Sequence, residues 1–512
     1  MALGIALRPQ SRTAAEARID LGHLDKKLRQ WCGLFIFTKN SKIYLIHQTA
    51  REFLVKREAA GQPYSTYSCT IEDTEDQMAG ICLRYLSMDG LDENDAQTCS
   101  DFQSFLAYSA VYWPDHVRNM SSTAERLLKN LLHRLYDTTA NRFSLWFPIY
   151  WKAVMGYTLT PTMNAIHLAA FNGHEHVVRH LLAGDERIAK TADSTRSYPL
   201  IWASLNGHQG VVHALLERGA DVNAQAGEYG SALQAACSRG HGKIVQVLLE
   251  RGAGVDAQDG EYGSALYAAC SGGHDTIVQV LLERGGDVNA QSGSYGNALQ
   301  VACSGGYDKV VHVLLKRGAN INSQDGEYGS ALYTACFKGH DNIVQVLLER
   351  GADINALQAA CSGGHDKVVQ VLLKRGANVN AQDREYGNAL QVACARGHET
   401  IVQELLECGA NVNAQGKHCG NDPLQASSSE GHDKIVQLLK RGADVSGRGG
   451  EYGNALQAFT FQNILSRWSS KTRLRPFNPA RVLRDIQKPS AEPRQLQTMT
   501  LLTRAYNYRK VA

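Results

Sequence analysis

The amino-acid sequence predicts a mainly α-helical fold: a solenoid of about ten stacked helix-pair units preceded by a small, non-repetitive helical domain. Three observations carry this expectation. Tyr229, Tyr262, Tyr295 and Tyr328 recur at 33-residue intervals, each inside a Gly-x-Tyr-Gly segment, and Tyr386 and Tyr452 continue the series. Gly-His pairs recur beside them: Gly173-His174, Gly207-His208, Gly240-His241, Gly273-His274, Gly339-His340, Gly364-His365, Gly397-His398 and Gly431-His432, with Gly306-Tyr307 as a variant. Each pair precedes an apolar stripe of helical period, as in Ile244, Val245, Leu248 and Leu249.

Each unit follows from its residues. Ser231 or Asn297 stands where a helix N-cap belongs, its side-chain oxygen placed to accept from a free backbone N–H. A short small-residue helix follows ("ALQAAC"), and Gly-His turns the chain. The second helix ("KIVQVLLERG") carries the apolar stripe and ends at Gly252, which suits a left-handed C-cap. "ADVNAQ" and "GEYG" then lead to the next unit. One helix pair cannot bury its own apolar face, so neighbours must stack.

The 33-residue period, the "GH…IVQVLLERGADVNA" segments and the placement of the glycines resemble the ankyrin repeat over residues 161–458. The usual Thr-Pro-Leu-His opening is altered to "SALQ", "NALQ" or "SALY": Ser or Asn keeps the capping role, while Gln or Tyr replaces the histidine. The unit at 352–375 is short. "GADINALQAAC" lacks about eight residues of loop, so a kink is expected there and the array is expected to split there on unfolding.

Residues 28–150 are not repetitive and follow an N-terminal segment, 1–27. "WCGLFIFTKNSKIYLIHQTAREFLV" predicts a strand, a turn at Asn40-Ser41, a second strand and a helix from about Gln48. Further helices are expected around Met78–Leu86, Phe102–Tyr112 and Ser122–Leu135. "YLIHQTAREFLV", "ICLRYLS" and "FLAYSAVYWPDHVR" resemble the segment between the NTPase core and the repeats of fungal NACHT-type (STAND) proteins, over residues 28–135. That resemblance implies a winged-helix-like and helical domain that relays between motor and sensor, with the NTPase core itself absent from this chain.

Composition narrows the function. The chain has 512 residues, 44% of them hydrophobic and 20% charged, with a formal net charge of +3, too small to argue for a nucleic-acid or membrane-surface role for the chain as a whole. The opening apolar stretch, "MALGIAL", is short for a signal peptide, and no run reaches the ~20 residues of a membrane span. A cytoplasmic location is expected, with the nucleus as the alternative. Residues 460–512 carry eleven Lys or Arg against two Asp or Glu and read as a mostly disordered basic tail, either inert or the one place where nucleic acid or acidic lipid would bind.

Motifs that mimic catalytic sites dissolve on inspection. Gly240-His241-Gly242-Lys243 resembles a phosphate-binding loop, but Ile244 replaces the hydroxyl residue, Ala236 replaces the first glycine, and a helix precedes it rather than a strand. The recurrent histidines lie one per unit, about 10 Å apart, too far to share a metal ion. They read instead as turn histidines bonded to backbone. No Cys-x-x-Cys pair occurs among the twelve cysteines, which read as buried, reduced thiols. His47 has no accompanying nucleophile motif. No enzyme activity, cofactor, metal or small-molecule substrate is expected.

A protein partner is the expected ligand. Asp259, Glu261, Tyr262, Asp325, Glu327, Tyr328, Asp383, Glu385 and Tyr386 lie where ankyrin hairpins project. The tyrosines there serve either as a recognition stripe or as a structural ladder on which successive hairpins pack. By the family's geometry, the first-helix residues Gln234, Tyr267, Gln300, Tyr333, Gln358 and Gln391 lie near the concave face and are the second candidate set for partner contact.

Overall fold

The computed structural model describes residues 36–39, 42–45, 71–88, 100–156, 160–258, 260, 263–292, 296–324, 326, 329–383, 387–414 and 423–439. Two compact units divide the chain, residues 1–292 and 293–512.

The first unit begins with an antiparallel hairpin, β1 (Ile36–Lys39) and β2 (Lys42–Leu45), paired in register from Ile36 with Leu45 to Lys39 with Lys42. The pairing agrees with the turn at Asn40-Ser41; the helix expected from Gln48 lies outside the described residues, as does His47. Four helices follow: α1 (Ile71–Leu86), α2 (Ser100–Asn119), α3 (Ser122–Leu135) and α4 (Asn141–Met155). Ser121 caps α3 by accepting from the Ala124 N–H, and the Asp76 carboxylate accepts from both the Ser121 N–H and its hydroxyl at 2.6 Å. Helix α4 was not expected. Its run "FSLWFPIYW" has no polar face to reveal a period, and Pro148 lies inside it.

Helix pairs then repeat. In the first unit they are α5 (Ala165–Asn172) with α6 (Glu175–Gly184), and α7 (Pro199–Leu205) with α8 (Gln209–Glu217). Next come α9 (Ala232–Ser238) with α10 (Gly242–Glu250), and α11 (Ala265–Ser271) with α12 (Asp275–Glu283). First helices pack on first helices and second on second, the α5–α7–α9–α11 row beside α6–α8–α10–α12. A two-residue β-ladder, β3 (Gln225–Ala226) with β4 (Gly230–Ser231), joins the second and third pairs.

The second unit repeats the scheme with α13 (Ala298–Gly305) and α14 (Asp308–Lys316), then α15 (Ala331–Lys338) and α16 (Asp341–Glu349). It continues with α17 (Leu357–Gly363) and α18 (Asp366–Lys374), then α19 (Ala389–Arg396) and α20 (Glu399–Glu407), preceded by the ladder β5 (Gln382–Asp383) with β6 (Gly387–Asn388). Helices α21 (Pro423–Glu430) and α22 (Asp433–Leu439) follow. Each unit is thus a helical repeat solenoid. The interior is made of small first-helix residues such as Ala235, Ala236 and Cys237 and second-helix aliphatics such as Val245 and Leu248, all fully buried. Each fully buried aliphatic side chain contributes roughly 1.5–3 kcal/mol.

The short unit keeps both helices, and α17 packs on α15 and on α19. What it loses is a cap. Ser or Asn begins the first helix in the neighbouring pairs and accepts from the N–H three residues on, whereas Ala356 begins α17 without a side-chain bond. The equivalent cysteines of the first helices (Cys237, Cys270, Cys303, Cys336, Cys361 and Cys394) are free and buried. Burial pushes the Cys361 thiol up to about 12, so it stays protonated and unreactive at neutral pH.

Candidate functional site

Three ladders of polar side chains lock one repeat to the next. The first begins near the start of the first helices, three residues after the N-cap in α9, α13 and α19. In α9, the Ser231 hydroxyl accepts from the Gln234 N–H and the Gln234 Oε1 accepts from the Ser231 N–H, a reciprocal capping box. The Gln234 amide then reaches into the following repeat, donating to the Ala257 carbonyl at 3.2 Å and to that of Gly263. Gln300 donates to Gly329, Gln358 to Ala381 at 2.8 Å and Gln391 to Ala414 at 3.0 Å. In the first repeat His167 does the same work, its Nε2–H donating to the Thr191 carbonyl at 2.9 Å. Glutamine therefore replaces histidine in role as well as position.

These contacts change the reading of the first-helix candidates. Gln234 and Gln300 are fully buried, Tyr267, Gln358 and Gln391 are buried, and Tyr333 is half-buried. The glutamines are staples between repeats, not surface contacts, because the side chain is long enough to span from its own N-cap to the neighbouring backbone. Gln391→Ala is expected to cost about 1–3 kcal/mol, since the Asn388 N–H and the Ala414 carbonyl both lose their partner. Gln391→His should cost less than the alanine change, and urea denaturation of the two variants checks the order.

The turn histidines form the second ladder. The Nε2–H of His208 donates to the Phe171 carbonyl at 2.9 Å, that of His241 to Leu205 at 3.1 Å and that of His274 to Ser238 at 3.4 Å. In the second unit His340 donates to Ser304 at 3.1 Å, His365 to Phe337 at 3.0 Å and His432 to Ala395 at 3.2 Å. Asparagines make the third ladder on the loops. Asn223 donates to the Gly252 carbonyl at 3.2 Å and accepts from the Gly254 N–H at 2.9 Å, and Asn380 pairs likewise with Gly409 and Asn411.

Of the hairpin candidates, Asp259, Glu261, Tyr262, Asp325, Glu327, Tyr328, Glu385 and Tyr386 lie outside the described residues, and Asp383 is described only as backbone in β5. Tyr229, the first tyrosine of the series, is described. It is buried against Trp202 of the preceding repeat, with ring centroids 5.3 Å apart. At this member of the series the ring is a packing element.

A fourth feature has no periodic signal in the sequence: an aromatic and polar junction that joins α2, α3 and α4 to the first repeat. Trp113 is fully buried, with ring centroids 5.6 Å from Tyr136, 5.7 Å from Trp146 and 5.3 Å from His174. Trp151 continues the row to Phe171 at 5.3 Å and Trp202 at 5.8 Å. The His174 Nε2–H donates to the Pro114 carbonyl at 3.0 Å, a bond to an upstream helix like those the later histidines make. The Nδ1 of His174 accepts from the Tyr136 hydroxyl at 2.6 Å, the Tyr150 hydroxyl donates to the Asn172 Oδ1 at 2.5 Å, and Arg118 donates to the Asn172 carbonyl at 3.0 Å.

Burial lowers the pKa of His174 to about 3, against an ordinary value of 6.5. The lone pair that accepts from Tyr136 would be lost on protonation, which agrees with that direction. As pH falls below 6.5 the unfolded chain takes up this proton first, so the contribution to stability present above pH 6.5 is lost progressively toward pH 3. The His174 imidazole resonances are expected to stay fixed between pH 7.5 and 5; a midpoint near 6.5 would place the ring in water.

Helices paired in this way, with a Gly-His turn and a loop asparagine per unit, define a helical-repeat binding scaffold rather than a fold built around a pocket. The family model for ankyrin repeats (3 copies) matches residues 123–226, 227–292, 291–358 and 357–448, and the chain belongs to the ankyrin-repeat family. The match begins within α3, ahead of the first clear repeat. The azaphilone pigments biosynthesis cluster protein L of Monascus ruber is 33% identical over 202 residues, 38% of this chain. The matched segment spans 37% of that curated relative's length. No helix among the described residues is long and apolar enough to cross a membrane.

Proposed function

We propose that the protein is a non-enzymatic interaction module whose repeats bind a partner protein. The observation that carries this is the locking of the repeats. Glutamine, histidine and asparagine side chains commit their polar atoms to the next repeat's backbone, so the remaining surface is held in place before a partner arrives. Pre-organisation lowers the ordering cost of association. The test is affinity capture with the full chain as bait, beside a variant with Tyr262, Tyr328 and Tyr386 changed to alanine and shown by circular dichroism to be folded. A partner held by the unmodified chain supports the module. Loss of that partner in the variant places the contact on the hairpins; failure of the unmodified chain to hold any defined partner overturns the reading.

A second reading is that the chain is the ligand-sensing part of a NACHT-type switch. The observation favouring it is the junction around Trp113 and His174, which couples the helices of residues 100–155 to the first repeat. On this reading, partner binding to the repeats changes hydrogen exchange in α2 and α3; unchanged exchange there removes it.

A further inference from the structure

Two phenylalanines occupy the same position in two repeats, and only one of them is covered. Phe171 is the seventh residue of α5 and Phe337 the seventh of α15. The ladder fixes the equivalence, because the carbonyl of each accepts from the histidine of the following repeat, His208 at 2.9 Å and His365 at 3.0 Å. Phe171 is 3% exposed because α4 and the following repeat lie on it, with the Tyr150, Trp151 and Trp202 rings at 6.2, 5.3 and 5.4 Å. The Tyr150 hydroxyl bonds the next side chain, Asn172, at 2.5 Å. Phe337 is 41% exposed, and the next side chain, Lys338, holds its Nζ 5.9 Å from the ring centroid.

The stack does not require a phenylalanine there. The repeats are near copies, and the equivalent position is Ser238, Ser271, Ser304, Ser362 or Ala395 in most of the others and a buried Leu205 in the second. Each of these offers the same carbonyl. The following position is Gly305 in the preceding repeat and Gly363 in the next, so the aromatic ring stands among residues with little side chain. Gly363 fits closely: a Cβ on it would fall 2.4 Å from the Phe337 carbonyl oxygen. Lys338 and, two repeats on, Arg396 are exposed at that following position, and neither is in an ion pair among the described residues.

We propose that Phe337 anchors a docking site for an amphipathic helix of a partner protein, one with aromatic residues on its apolar face and carboxylates beside them. The helix covers Phe337 as α4 covers Phe171, and its acidic residues meet Lys338 and Arg396. Two repeats at about 10 Å each set a span of about 20 Å, or about 13 helical residues at 1.5 Å per residue. Helix α4, the internal precedent, has 15. The chain's own basic segment 460–512 has the wrong charge for these two cations. This inference rests on the reading of the protein as a binding module and specifies one of its surfaces.

The probe is a fluorescent peptide of residues 141–155 carrying three added glutamates at each end, titrated by anisotropy with the full chain. Phe337→Ser and Lys338→Gly install the residues of the neighbouring repeats, so both variants should fold. The expected result is saturable binding that weakens tenfold or more in Phe337→Ser and about threefold in Lys338→Gly. A peptide extended with lysines, or one with Tyr150 and Trp151 changed to alanine, should bind more weakly. No binding, equal affinity for the unmodified chain and Phe337→Ser, or preference for the lysine peptide overturns the proposal. Sedimentation showing a dimer that Phe337→Ser dissolves also overturns it, since a second copy would then be the occupant. A cellular partner held equally by the unmodified chain and Phe337→Ser would remove this site and leave the binding module standing.

Discussion

Replacing Gly339 by alanine is expected to cost about 3–4 kcal/mol and to unlock the stack at the short repeat. Gly339 closes α15 in the left-handed region, at φ +79°. A Cβ there would sit 2.4 Å from Nδ1 and 2.6 Å from Cγ of His365, within the ring that bonds Phe337. The His365 ring cannot withdraw without giving up that bond, so strain and clash add. Gly351 supplies the control. Its φ is +88°, yet nothing lies within 4 Å of its Cβ direction, so Gly351→Ala should cost only the backbone strain of about 1–2 kcal/mol. Because repeat arrays open locally, native-state hydrogen exchange is the appropriate measurement. Amides of α15 and α16 should lose roughly a few hundredfold in protection in Gly339→Ala, a factor that corresponds to about 3–4 kcal/mol. Equal losses in the two variants would mean that the ring, not the backbone, gives way.

Trp113→Ala should be as damaging at the other end of the array. The side chain is fully buried at the meeting point of α2, α3, α4 and the first repeat, and it touches Tyr136, Trp146 and His174 at once. Removing a buried tryptophan leaves a large cavity and costs about 3–5 kcal/mol. The expected readout is a lower urea midpoint, with α5 and α6 losing exchange protection along with α2. Trp113→Phe is expected to be much milder. Its ring keeps most of the contacts, and the Nε1–H it removes is buried without a hydrogen-bond partner. If Trp113→Ala left α5 protected, the junction would be two abutting structures rather than one cooperative unit.

Much of this fold was legible in the sequence because its determinants are close together along the chain. Ser231 or Asn388 at an N-cap, the Gly-His turn, and Ile244, Val245, Leu248 and Leu249 on one stripe all act within a single repeat. The turn histidines were read as backbone-bonded, and the carbonyls of Phe171, Leu205 and Ser304 accept from them. The glutamines show where such reasoning stops. Family geometry puts Gln234, Gln300 and Gln391 near a partner-facing surface, yet their amides reach backbone 23 to 29 residues away in the next repeat.

The sequence by itself determined the period, the helix pairs, their caps and the residue types at each repeat position, because these depend on local backbone preference and on apolar residues recurring at a fixed spacing. Only the tertiary structure decided which faces are covered. Tyr136 meets His174 across 38 residues, and His174 meets Pro114 across 60, with no periodicity to announce either contact. The same holds for Phe171 and Phe337, which read alike in sequence. Helix α4 and the Trp202 ring bury the first, while no ring among the described residues packs on the second, and that difference arises from packing between separate segments of the chain.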